Sequence, residues 1–134
     1  GMISALAQLS QAGALPRFGD DDGGRLFDAA RNRPEHMLDP LSTGAALFGD
    51  AEFKARAPSL CEETLWLLGP DSEAAFDAIP RVEPPPCSVA FPASGIFAMA
   101  SPGPPPSQLF IDAGPLGSLA AGHGHADALS RPRR

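Results

Sequence analysis

The sequence predicts an α+β chain, with helices over residues 1–80 and antiparallel β-strands over residues 88–134. Three observations predict it. Apolar residues recur at helical spacing in several early segments. A stiff stretch, Arg81-Val82-Glu83-Pro84-Pro85-Pro86, then interrupts the chain. Beyond Cys87 the helical spacing disappears, and short apolar runs alternate with turn residues. The chain thus divides into a helical segment (1–80), a Pro-rich linker (81–87) and a β segment (88–134).

The elements follow in order. Ile3, Leu6, Ala7 and Leu9 predict a short helix over 2–12, stopped by Gly13. Residues 13–25 read as a loop, with four Gly, one Pro and the run Asp20-Asp21-Asp22. Leu41, Ala45 and Phe48 form a stripe for a helix that starts near Asp39 or Pro40, where Pro suits the first turn. Gly44 interrupts that stripe. Ser59 and Glu62 fit a capping box for a helix over 59–68, with Leu60, Thr64, Leu67 and Leu68 on one side and Leu65 and Trp66 widening it. Trp66 is expected in the core, and Cys61 as a small buried group within the helix. Gly69-Pro70 ends it, and Asp71 or Ser72 caps a further helix through Phe76 and Ile79. In the β segment, residues 88–100 hold two apolar runs about Gly95, and QLFIDAG (108–114) reads as a strand.

Composition narrows the function. The chain has 134 residues and a net charge of −6, which excludes nucleic-acid binding by phosphate neutralisation. No apolar run approaches the roughly 18 residues of a membrane span, and no basic start with an apolar stretch marks a signal peptide. Two cysteines make no disulfide framework. Leu, Ile, Val and Phe are scarce while Gly and Pro together number 30, so the core is thin and loops are extensive. One Lys against nine Arg, with much Ala and Pro, points to GC-rich coding DNA and a bacterial source.

Two segments carry ligand-type residues. In His123-Gly124-His125-Ala126-Asp127 the three polar side chains would share one face of a strand. Histidine suits metal binding and proton transfer near neutral pH. The bland alternative is a solvated turn in a Gly-rich stretch. Asp20, Asp21 and Asp22, flanked by glycines, offer a possible cation or substrate loop, although consecutive carboxylates do not match the alternating oxygens of a calcium loop. Their alternative is a solvated acidic loop. His36 reads as a surface or capping residue.

Taken together, GPLGSLAAGHGHADALS (114–130) resembles the signature of heparinase II/III-like polysaccharide lyases, preceded by the strand QLFIDAG. SGIFAMAS (94–101) resembles the opening strand of that family's β domain. LPRFGDDDGGRLF and the ALFGD and EETLWLLG stretches resemble its last helices. The resemblance implies that residues 1–80 are the end of an α/α toroid and residues 88–134 the start of a β-sandwich. It implies cleavage of uronic-acid polysaccharides by β-elimination. His123 would lie at the substrate carboxylate, His125 would be a zinc ligand and Asp127 would support them. Family members acting on polysaccharides are often periplasmic or secreted.

This sequence departs from the family in ways that matter. The family's acid/base is typically a tyrosine, and this chain has none. The family's further zinc ligands lie downstream of the motif, whereas here Ser130-Arg131-Pro132-Arg133-Arg134 follows soon after Asp127. The expected site is therefore incomplete, with an acidic polysaccharide or oligosaccharide as partner and an isolated chain that is inactive. The alternative is a truncated, non-enzymatic remnant that binds carbohydrate or metal. A partial toroid and a partial sheet leave apolar faces uncovered, so a homo-oligomer is expected. A third reading is a small interaction module with a His-rich turn.

Overall fold

The computed structural model describes residues 1–12, 15, 37–115 and 129–130. Among the described residues five helices come first: α1 (Met2–Leu9), α2 (Asp39–Phe48), α3 (Ala51–Arg56), α4 (Glu62–Leu68) and α5 (Asp71–Ala78). Four strands follow: β1 (Val89–Phe91), β2 (Ile96–Ser101), β3 (Ser107–Asp112) and β4 (Leu129–Ser130). The α+β order read from the sequence is the order observed.

Leu41 and Ala45 of α2 lie at the centre of the helical core, which also draws on Ala7, Leu38, Phe53, Phe76 and Ile79. Pro40 sits in the first turn of α2, where its missing N–H costs nothing, and Gly49 closes the helix. Gly44 does not break α2. It marks the place where neighbours come closest: a β-carbon there would lie 2.9 Å from the Ile3 side chain and 3.2 Å from that of Phe53. Helix propensity is sacrificed so that α1 and α3 can approach.

Helix α3 was not foreseen. Its signal is Asp50, whose Oδ1 accepts from the amides of Glu52 at 2.8 Å and Phe53 at 3.0 Å. Lys54 of α3 then reaches α5. Its Nζ donates to the carbonyls of Phe76 at 2.7 Å, Asp77 at 3.2 Å and Ile79 at 2.8 Å, and stands 4.9 Å from the centre of the Phe76 ring. A cation thus meets the carbonyls at the end of α5, where acceptor capacity is left over and the helix dipole favours positive charge.

Helix α4 differs from expectation in three respects. It begins at Glu62 with Cys61 as N-cap, and no side chain caps it, so the Ser59–Glu62 box does not form. Cys61 therefore precedes the helix rather than lying within it. The Cys61 amide donates instead to the Ser42 hydroxyl at 3.2 Å. The buried side of α4 is polar: Thr64 is fully enclosed, while Leu65 and Leu67 are exposed. Trp66 is 69% exposed, not core. Two residues turn a helix by about 200°, so seating Thr64 inward sends Trp66 outward. Its indole N–H donates to Glu62 Oε1 at 3.2 Å. The caps proposed for α5 do not form either: Pro70 is its N-cap, and the Ser72 hydroxyl donates to the Gly69 carbonyl at 2.6 Å.

The strands form one antiparallel meander in the order β1-β2-β3-β4. Ala98 faces Phe110 across β2 and β3, and both are buried with Gln108 on one side of the sheet. Phe97 and Met99 alternate to the other side and are exposed. Ser88 extends the β1 edge by accepting the Ala100 amide at 3.1 Å. Among the described residues, no helix is long and apolar enough to cross a membrane.

Candidate functional site

The site is built outward from the end of β3. Leu109 and Ile111 face one side of that strand while Gln108 and Phe110 face the other, as alternation in SQLFID requires. Immediately after it the backbone is pinned. Asp112 Oδ1 accepts the Gly114 amide at 2.9 Å, and the Ala113 amide donates to the Gly95 carbonyl at 3.0 Å. The latter bond ties the exit of β3 to the turn between β1 and β2.

That crossing requires glycine on both sides. Gly95 has φ +74°, and a β-carbon on it would come within 2.5 Å of the Gly114 backbone. A β-carbon on Gly114 would meet the Ser94 carbonyl oxygen at 2.5 Å. Two chains touch here backbone to backbone. In the sequence Gly95 and Gly114 looked like ordinary turn residues, and nothing in either segment marked them as a pair.

From Pro115 the chain continues through residues 116–128 and returns as β4. Leu129 lies opposite Ile111 and Ser130 opposite Phe110. The connection carrying His123, His125 and Asp127 therefore starts and ends at the same end of β3. Those three residues lie outside the described residues, as do His36 and the run Asp20, Asp21 and Asp22. What the structure describes is the anchorage of the motif segment at both ends.

Other chemistry-bearing side chains serve packing. Cys61 is buried, with Sγ 3.1 Å from the Thr64 hydroxyl and 3.1 Å from that of Ser42. Cys87 is exposed and free. Among the described residues, no three His, Cys, Asp or Glu side chains converge on a point that could hold a metal.

Residues 83–131 match the family model for the heparinase II/III-like C-terminal region. Over this segment the chain is similar to the heparinase II/III-like family. The match runs from the Pro-rich linker through β1, β2 and β3 to one residue past β4, and it includes the whole His-x-His-x-Asp motif. It covers just over a third of the chain and leaves the helical part outside. No curated protein matches the chain, and neither does any solved structure.

Proposed function

We propose that this chain contributes the β part of a polysaccharide lyase acting on uronic-acid-containing chains, with His123 at the substrate carboxylate. The observation that carries this reading is the heparinase II/III-like match over 83–131, which contains His123, His125 and Asp127. In the same reading the helical segment is the end of an α/α toroid, and the Pro-rich linker joins it to the start of a β-sandwich.

The chemistry says what such a site needs. β-Elimination removes the weakly acidic proton beside the uronate carboxylate and expels the glycosidic oxygen. Charge develops on that carboxylate, so a donor placed against it stabilises the transition state. His123, donating from its ring, fills this role. A base must take the proton and an acid must protonate the leaving oxygen, a contribution of about 10²–10⁴-fold. The chain contains no tyrosine to do this. We therefore assign binding, but not turnover, to the isolated chain.

Zinc fits in donor type. His125 and Asp127 offer an imidazole and a carboxylate, both accepted by zinc, with further ligands needed from elsewhere. Cys61 is not among them, because its sulfur is enclosed among Ser42, Thr64 and the Asp39 carbonyl. A metal held by His125 and Asp127 would fix the shape of the motif segment, leaving His123 to orient the carboxylate.

Calorimetric titration of uronic-acid oligosaccharides into the chain and into His123→Ala tests the reading, with ultraviolet absorbance followed for unsaturated product. The chain should bind, and His123→Ala should bind roughly tenfold or more weakly, as loss of a charged hydrogen bond implies. No product should accumulate. Equal binding by both proteins overturns the role of His123, and sustained turnover overturns the assignment of binding alone.

Exposed apolar side chains favour self-association as a second property. Leu47, Phe48 and Leu67 on the helices and Phe97 and Met99 on the sheet face solvent. Sedimentation should therefore show a homo-oligomer at micromolar concentration. A stable monomer contradicts it.

A further inference from the structure

The helical core and the sheet are separately organised. The core cluster consists of residues from the helices and their flanking loops, and the buried Ala98 and Phe110 of the sheet are not members. Between the two lies a stretch over 81–88 with no regular structure, including Pro84-Pro85-Pro86.

Three hydrogen bonds tie the end of α1 to the far side of this stretch. Gln11 Nε2 donates to the Cys87 carbonyl at 2.8 Å, and the Cys87 amide donates to Gln11 Oε1 at 2.6 Å. The side-chain amide of Gln11 thus pairs with the backbone as a neighbouring strand would, immediately before β1. Gln108 Nε2 of β3 donates to the Gln8 carbonyl at 2.9 Å. Gln8 and Gln11 lie one turn apart, so one helix end grips both the linker and the third strand.

The grip is incomplete in an informative way. Gln108 is 3% exposed, yet among the described residues its Oε1 has no hydrogen-bond partner. Burying an unsatisfied acceptor offsets much of what the Nε2 bond contributes. The described helices and strands share few contacts beyond these polar ones, and a joint of that kind permits relative motion.

We propose that Gln11 and Gln108 form a releasable clasp that sets the orientation of the sheet on the helices, with residues 81–88 as the hinge. Closed, it holds β3 against the end of α1. Open, it leaves two folded bodies on a proline-rich tether. Gln11 and Gln108 are positioning residues, and this role does not depend on the lyase reading.

Residual dipolar couplings of the labelled full chain test it. In the wild type, amides of α2–α5 and of β1–β3 should fit one alignment tensor. In the Gln11→Ala, Gln108→Met double variant the chemical shifts within each body should persist, while the strand couplings shrink and require a tensor of their own. A single shared tensor in the folded double variant overturns the proposal. If the double variant does not fold, amide exchange in the wild type decides. The Cys87 amide should exchange through an opening that leaves the β2–β3 amides protected. Exchange of Cys87 only together with those amides, in global unfolding, overturns the clasp.

Discussion

Ser42 is fully buried, and its hydroxyl joins the Asp39 carbonyl at 2.9 Å, the Cys61 amide at 3.2 Å and the Thr64 hydroxyl at 2.9 Å. One hydroxyl offers a single proton and two acceptor sites, so its capacity is fully used. Ser42→Ala would leave the Cys61 amide without this acceptor in the interior, while the Thr64 hydroxyl would keep Thr43 and the Cys61 sulfur. The expected loss is about 1–3 kcal/mol in denaturant unfolding, and a loss within experimental error would contradict this network. Lys54, the single lysine, is the converse case: a long side chain crosses to another helix to meet three carbonyls. Lys54→Met keeps the stem and removes the donors, for an expected loss of about 1–2 kcal/mol by the same measurement. Neither role was legible in the sequence. Apolar spacing identifies the face of a helix, whereas Ser42 and Lys54 act on partners some twenty residues away that spacing does not reveal.

Elements with a strong local signal were legible. The alternation in SQLFID, bounded by turn residues, marks β3 in the sequence, and β3 is the strand whose Phe110 is fully enclosed. Phe110→Ala should therefore cost about 3–5 kcal/mol. Pro40 likewise marks the start of α2 in both sequence and structure. Helix α4 misled because its composition is apolar while its buried seam is Cys61 and Thr64, leaving Leu67 and Trp66 outside. Trp66→Ala should consequently change stability by less than about 0.5 kcal/mol, the range of ordinary surface substitutions. A large loss there would mean that the indole is covered in solution. The turn before β2 belongs to the same scale. Gly95→Ala forces a left-handed residue into the Gly114 backbone and should cost more than about 2 kcal/mol. Urea midpoints for the three variants should therefore rank Phe110→Ala and Gly95→Ala far below Trp66→Ala.

At the scale of the whole molecule, helices precede a four-stranded meander, as the composition change near Pro80 foretold. The heparinase II/III-like match covers the β part alone. The candidate site was legible as a pattern, because three ligand-type residues at alternate positions stand out in a Gly-rich stretch. Its anchorage was not. The Gly95–Gly114 crossing and the pairing of Leu129 with Ile111 bring together residues distant in sequence, and only the folded chain shows them. We propose that function resides in the segment between β3 and β4. The chain has three histidines, His36, His123 and His125, which makes their ring resonances a direct report. We would follow those ¹⁵N-ring signals by NMR while adding first zinc and then a uronic-acid oligosaccharide. Zinc should move His125 and the oligosaccharide should move His123, with His36 unaffected by either. If neither His123 nor His125 moves more than His36, the motif segment is a solvated turn and the proposed function is wrong.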